Sequence, residues 1–364
     1  MSELVEFCKK RMTNLKEQMD KYELDLVYLI NNSRGGLLFK RIAETSSGNS
    51  IIIPREGDSL LFVYSVDYIS TNEESWLNVK QIKDREKARK QICEYANNFL
   101  EADSKVGVQV NSLTKDDYEF FNKILKGELV NINDSLIPEV FYGLFPEEIK
   151  YQRKVSKIAD YACIAVREAM EERISEYELA AVAEYEMRRR GAEVTSFNTI
   201  ISTGPRSAYS HGYPTERKLK KNELLLVDLG PQIKGYAADE TRTYLFGKNS
   251  KKEKMLNAVN ESVEKVIQNI QPGVPCKELD AISRKVLKNK GFPDYPHSLG
   301  HPISGFLVPN ISKNSEHILK PGMLFTVEPG IYLPGYGGVR MEENIVVTED
   351  GFEQLTESPR MLEF

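Results

Sequence analysis

Histidine is scarce in this chain: four residues, at 211, 297, 301 and 317, among 364, with a single tryptophan. Cysteine is equally sparse. Cys8, Cys93, Cys163 and Cys276 lie far apart with no CxxC spacing, which excludes a disulfide framework or a thiolate zinc site and reads as reduced thiols in a cytoplasmic protein. No apolar run approaches the ~18 residues of a membrane helix. The N-terminus carries acids early and lacks an apolar core segment, so it does not read as a signal peptide. The 49 basic residues do not outnumber the 54 acidic ones, and a net charge of −5 gives no electrostatic case for nucleic acid or an anionic membrane. Tandem repeats and low-complexity tracts are missing. The loop Asn31–Gly36 contains glycine, yet it has neither the Rossmann nor the Walker spacing that would cradle phosphate.

What remains is the composition of an ordinary globular protein, 41% hydrophobic and 28% charged, long enough for two domains. Residues 2–21 carry an amphipathic stripe of Leu4, Cys8, Met12, Leu15 and Met19, a helix with a core-facing side. Strands are predicted at 25–30, 49–54, 59–63, 105–110 and 128–132. Helices are predicted at 84–101 and at 114–126, the latter opened by Thr114-x-x-Asp117. Alternating strands and helices make residues 1–145 an α/β domain, and no catalytic constellation falls in it. Residues 146–364 read as α+β. Pro146 starts a long helix whose buried face is Val155, Ile158, Ala162, Ala165 and Ala169, and Ser175-x-x-Glu178 caps a second that ends at Gly191. Ser250-x-x-Glu253 caps a third, with Lys251, Lys252 and Lys254 as its wet first turn, and residues 276–290 form a fourth.

Two stretches stand out between and after these helices. Residues 223–244 read as a β-hairpin in which Asp228 and Asp239 are symmetric about the Ile233–Lys234 bond. A regular antiparallel ladder would set them opposite each other, with Cβ atoms about 5 Å apart. Residues 323–347 repeat the pattern, with Glu328 and Glu342 symmetric about Gly335 in a turn rich in glycine and proline. Like charges facing each other at the ends of apolar runs need a proton or a cation between them, and two divalent ions neutralise four carboxylates. His301, in Pro296-His-Ser-Leu-Gly-His-Pro302, lies between the two pairs in sequence and supplies the imidazole that such a site adds.

Taken in order, Asp228, Asp239 within Asp-x-Thr-Arg-Thr, His-Ser-x-Gly-His301, Glu328-Pro-Gly-Ile-Tyr and Gly-Val-Arg-x-Glu342 resemble the Xaa-Pro dipeptidase (prolidase) and aminopeptidase P family. This is the pita-bread superfamily that also holds methionine aminopeptidase and creatinase. Ser207 to Leu219, with His211, resembles the segment upstream of the first Asp. The similarity spans about residues 146–364 and, more faintly, the part before it. It implies a creatinase N-terminal-like α/β domain, a pita-bread catalytic domain, and a homodimer. It implies a dinuclear site, with Asp239 and Glu342 bridging two divalent ions, Asp228 completing one, and His301 and Glu328 the other. Glu328 would also move protons, and His211 would orient the peptide or stabilise its oxyanion. Arg340, two residues before Glu342 on the same strand face, could hold ligand carboxylates from behind or be a surface residue of its strand. Hard carboxylates with one imidazole suit Mn(II), Co(II) or Zn(II). The implied reaction is hydrolysis of Xaa-Pro bonds in dipeptides or short proline-containing peptides. An N-terminal domain fits this branch rather than methionine aminopeptidase.

One departure keeps alternatives open. The family usually places a second histidine seven residues after the ligand histidine, where this chain has Val308, and prolidases often set an Arg just beyond, where it has Asn310. His317 is a poor substitute. Reduced peptidase activity, hydrolysis of a non-peptide C–N bond, and a binding protein that keeps its metals are the other readings.

Overall fold

The computed structural model describes residues 3–31 and 36–360, so the Asn31–Gly36 loop lies mostly outside it. The elements fall into two compact units, Met1–Tyr142 and Gly143–Phe364.

In the first unit, β1 (Leu26–Ile30), β2 (Ser50–Pro54), β3 (Leu60–Tyr64), β4 (Asn78–Ile82), β5 (Lys105–Val108) and β6 (Glu128–Asn131) form one mixed sheet in the order β4-β3-β2-β1-β5-β6. The helices are α1 (Glu3–Lys21), α2 (Gly36–Ala43), α3 (Tyr68–Glu74), α4 (Ala88–Ala96), α5 (Lys115–Ile124) and α6 (Leu136–Val140). Strand β1 is covered on both faces, which is why it reads Leu-Val-Tyr-Leu-Ile without alternation. Tyr28, Ile52 and Phe62 pack on one face with Ile92 and Cys93 of α4 and Phe121 of α5, while α1 packs against α2 and α6. Thr114 and Asp117 make the reciprocal cap that their spacing predicts. The helix expected over 84–101 is confined to Ala88–Ala96 and a 3₁₀ turn, and α2, α3, β4 and α6 were not expected. These are short elements whose apolar residues are too few to set a period.

The second unit runs α7 (Ile149–Glu168), α8 (Glu176–Arg189), β7 (Val194–Thr195), β8 (Ile200–Thr203), β9 (Glu223–Leu229), β10 (Pro231–Ile233), β11 (Tyr236–Ala237) and β12 (Glu240–Phe246). It continues through α9 (Ser250–Ile267), α10 (Cys276–Asn289), β13 (Leu324–Val327), β14 (Gly330–Leu333), β15 (Gly337–Arg340), β16 (Glu343–Val347) and β17 (Phe352–Gln354). Each of the two halves is a helix pair followed by a broken hairpin. Ser175 and Glu178 cap α8 reciprocally, as the spacing predicts. The α9 cap falls one residue earlier than expected: Asn249 accepts from the Lys251 and Lys252 amides. Lys252 is buried rather than wet, and its ammonium donates to the Asn222 carbonyl at 2.6 Å.

The hairpins decide the site. In the second, Val327 pairs with Glu343 and Gly330 with Arg340, so Glu328 and Glu342 stand opposite each other at the break in the ladder, as their symmetry requires. In the first, the register is two residues off the symmetric reading. Thr241, not Asp239, faces Asp228. The cause is a two-residue turn at Lys234 and Gly235, both with positive φ (48° and 82°), as a type I′ hairpin demands. A slip of two keeps both aspartates on one face, as diagonal neighbours about 7–8 Å apart rather than facing ones.

Candidate metal centre

The hairpins are stitched edge to edge by the residues that flank the acids. The Glu342 amide donates to the Thr241 carbonyl at 3.0 Å. The Thr243 hydroxyl donates to the Arg340 carbonyl at 2.8 Å and accepts from the Arg340 amide at 3.1 Å. The fully buried Arg242 guanidinium donates to the Glu342 carbonyl at 2.6 Å and lies 3.0 Å from Glu240 and 3.1 Å from Glu343. His301 arrives on an extended segment beside β13: its carbonyl accepts from the Thr326 amide and its own amide donates to the Thr326 hydroxyl.

Asp228, Asp239, His301, Glu328 and Glu342 thus line one cleft of about 400 Å³, together with His211, His297 and Arg340. One ligand atom each from Asp239, His301 and Glu342 lie within 4.8 Å of one another. The His301 Nε2 is 3.6 Å from Asp239 and 3.4 Å from Glu328. Every sequence-selected residue is therefore brought together. Two hydrogen bonds aim the glutamates, one short and one long: Thr241 donates to Glu342 Oε2 at 2.6 Å, and Thr326 donates to Glu328 Oε1 at 3.3 Å. Arg340 donates to Asp228 Oδ2 at 2.5 Å, to Thr241 Oγ1 at 3.0 Å and to the Tyr332 hydroxyl at 3.1 Å. Tyr332 in turn meets His297 Nε2 at 2.8 Å, and His297 Nδ1 faces the Ser298 carbonyl. Burial pushes His297 down to about 4, so this ring is neutral with both nitrogens engaged.

The donor set fits a divalent cation. Arg340 is the one guanidinium in the cleft lining, against four carboxylates. Burial pushes all four carboxyls up. Repulsion from Asp228 and Glu328 adds to the effect on Asp239, and Asp239 and Glu328 add to it on Glu342; these two rise well above the ordinary range. The other oxygen of Asp228, Oδ1, is buried and has no hydrogen-bond partner. An orphaned carboxylate oxygen in the interior is a costly arrangement that a cation relieves.

A model of metallopeptidase family M24 matches residues 150–349. The chain belongs to metallopeptidase family M24. It is a metal-dependent peptidase with the pita-bread fold. The M24 chain is 33% identical over 359 residues to the Xaa-Pro dipeptidase of Pyrococcus furiosus, covering 97% of this chain and 99% of that one. Among solved structures it resembles the prolidase of Pyrococcus horikoshii with a TM-score of 0.85 at 32% identity, over 96% of this chain and 99% of the other. It also resembles the X-Pro aminopeptidase of Thermotoga maritima with a TM-score of 0.87 at 25% identity, over 96% and 98%.

The segment after His301 in the M24 chain differs from the sequence reading in one respect. Val308 does not face the cleft; it packs in the core with Ile311, Leu319 and Phe325. Asn310 and His317 also lie outside the cleft lining, joined by a hydrogen bond from the Asn310 amide to His317 Nδ1 at 3.2 Å. Val308→His therefore places an imidazole among apolar side chains. We expect no gain in turnover and a loss of about 1–3 kcal/mol in stability, read as a lower Tm. Sequence reasoning also passed over Thr241, Thr326 and Tyr332. For Thr241 and Arg242 a signal existed: a polar triplet, Thr-Arg-Thr, inside a strand that is otherwise buried.

Proposed function

We propose that this chain hydrolyses Xaa-Pro bonds in dipeptides and short peptides, with two divalent ions held by Asp228, Asp239, His301, Glu328 and Glu342. The convergence of two acid-bearing hairpins and His301 on one cleft carries this reading, and the Xaa-Pro names of the relatives supply the substrate class. Mn(II), Co(II) and Zn(II) all suit four carboxylates and one imidazole. Such ions would contribute Lewis-acid polarisation of the scissile carbonyl and a more acidic water. Glu328, held by Thr326, accepts a proton as water adds to the carbonyl carbon and delivers one to the proline nitrogen as the C–N bond breaks. His211 is exposed, and its ring is free of hydrogen bonds among the described residues, so it can donate to the carbonyl oxygen as charge develops there. Arg340 and Thr241 keep one oxygen each of Asp228 and Glu342 occupied, which leaves the other for a cation.

The test is a cleavage panel on Mn(II)- or Co(II)-loaded protein: Xaa-Pro dipeptides, their C-terminal amides, Xaa-Pro-Xaa tripeptides and Xaa-Ala controls. Cleavage of the proline peptides alone is expected, and failure on all of them ends this reading. Arg340, the one guanidinium lining the cleft among the described residues, directs four of its five N–H donors to Thr241, Ser210, Tyr332 and Asp228, so no strong clamp awaits a dipeptide carboxylate. Capping that carboxylate as the amide should change kcat/KM by less than about tenfold, where a lost charged hydrogen bond would cost more. A homodimer in the cytoplasm completes the reading. The free, buried state of all four cysteines supports the compartment, and sedimentation reads the assembly.

A further inference from the structure

Glu176, the first residue of α8, is fully buried, and its carboxylate closes the loop that carries His211. Oε1 accepts from the Thr203 amide at 2.8 Å and the Thr203 hydroxyl at 2.9 Å. Oε2 accepts from the Thr215 amide at 3.0 Å and the Thr215 hydroxyl at 2.6 Å. Arg206 Nε lies 3.3 and 3.2 Å from the two oxygens. The two backbone amides and the guanidinium can only donate, and the two threonine hydroxyls donate beside them, so both carboxylate oxygens serve as acceptors. The two threonines are the ends of the loop, and Arg206 relays the hold inward by donating to the Tyr213 carbonyl at 2.6 Å.

The loop is fixed at each residue around the histidine. Arg340 donates to the Ser210 carbonyl at 3.1 Å, and Ser202 donates to the Gly212 carbonyl at 2.7 Å. Gly212 has no room for a side chain: a Cβ there would stand 1.9 Å from Ser202 Oγ. Ser210, His211 and Tyr213 all line the cleft. A carboxylate with no solvent contact, tying both ends of a segment whose middle faces the substrate, has more to do than begin a helix.

We propose that Glu176 is a positioning residue for the hydrolysis, acting through the 203–215 loop on the ring of His211. This rests on the role given to His211 above. Glu176→Gln keeps the shape but turns an amide NH₂ toward donors, so the loop relaxes. We expect kcat/KM to fall about tenfold to a hundredfold, the scale of a small misplacement of a reacting group. Bound metal should stay at the wild-type amount, because Glu176 touches none of the five candidate ligands. The deciding measurement is a double-mutant cycle with His211→Ala: in that background Glu176→Gln should cost nothing further. Independently of turnover, amide exchange across 203–215 should speed up at least about tenfold, since the Thr203 and Thr215 amides lose their acceptor.

Equal losses in both backgrounds, lost metal, or unchanged amide exchange would overturn the assignment and leave the Xaa-Pro reading intact. A wild-type rate in His211→Ala overturns the role of His211 and this assignment with it. No cleavage by the wild type removes the Xaa-Pro reading, and the exchange measurement then judges the latch alone. Should Glu176→Gln fail to fold, Thr215→Val, which deletes one hydroxyl from the same carboxylate, goes through the same cycle and exchange measurement.

Discussion

Asp239→Asn lowers kcat/KM by at least about 10³-fold while leaving the fold intact. The size follows from the several kcal/mol of charge stabilisation that a metal supplies to such a reaction, at about 1.36 kcal/mol per factor of ten. Asp239 faces His301 and lies in the triple of closest ligand atoms, so asparagine there is a nearly isosteric loss of one anionic donor. Its amide and carbonyl are both held by the Asn344 side chain, which does not depend on its charge. The stability effect should have the opposite sign. Without cations, Asp239 raises the carboxyl of Glu342 by repulsion, and Asp228 and Glu328 raise its own. Removing its charge relieves that strain. The chelated variant is therefore expected to melt at or above the temperature of the chelated wild type. Metal content, turnover and Tm measured together check this, and a destabilised variant that still binds metal at full stoichiometry would contradict it.

Metal removal gives the second large effect. A ligand held at about 100 times its Kd stabilises the folded state by ~2.7 kcal/mol per site. For a unit of this size that is a fall of roughly 5–10 °C in Tm for each site that chelation empties, or about 10–20 °C for both. The dependence on pH distinguishes this site from an adventitious one. In the metal-free protein, Asp239 and Glu342 have folded-state pKa values well above their ordinary ones. The unfolded chain releases these protons near the ordinary carboxyl range of about 4, and the folded chain holds them to higher pH. Between those limits the folded state binds more protons, so stability falls as pH rises. Cations reverse this, because they bind the ionised carboxylates and lose to protons in acid. The difference in Tm between Mn(II)-loaded and chelated protein should therefore widen from pH 5 to pH 8. A constant difference would mean that the metal binds elsewhere.

The acids were legible because they interrupt apolar runs. Val227-Asp228-Leu229 and Thr326-Val327-Glu328 put a charge where the pattern calls for a buried side chain, and the symmetry of Glu328 and Glu342 about Gly335 gave the true register outright. The same reasoning misplaced the first pair by two residues because it took the midpoint of the acids for the turn. The turn lies one residue on, at Lys234-Gly235, and a lysine with positive φ leaves no mark in a sequence. Val308 was misread for a related reason. Counting from His301 fixes its place in the chain but not the direction of its side chain, which packs in the core.

Spacing, together with the family resemblance read from the same residues, therefore pointed to the two hairpins, the five candidate ligands and the class of ion they suit, because charge in an apolar strand is a local conflict that sequence displays. What only the tertiary structure decided is what holds those groups still. Arg340 on Asp228, Thr241 on Glu342, Thr326 on Glu328 and Glu176 on the His211 loop join residues as much as 112 positions apart. Such hydrogen bonds depend on distance and direction between chain segments, and a sequence records neither until the segments have packed.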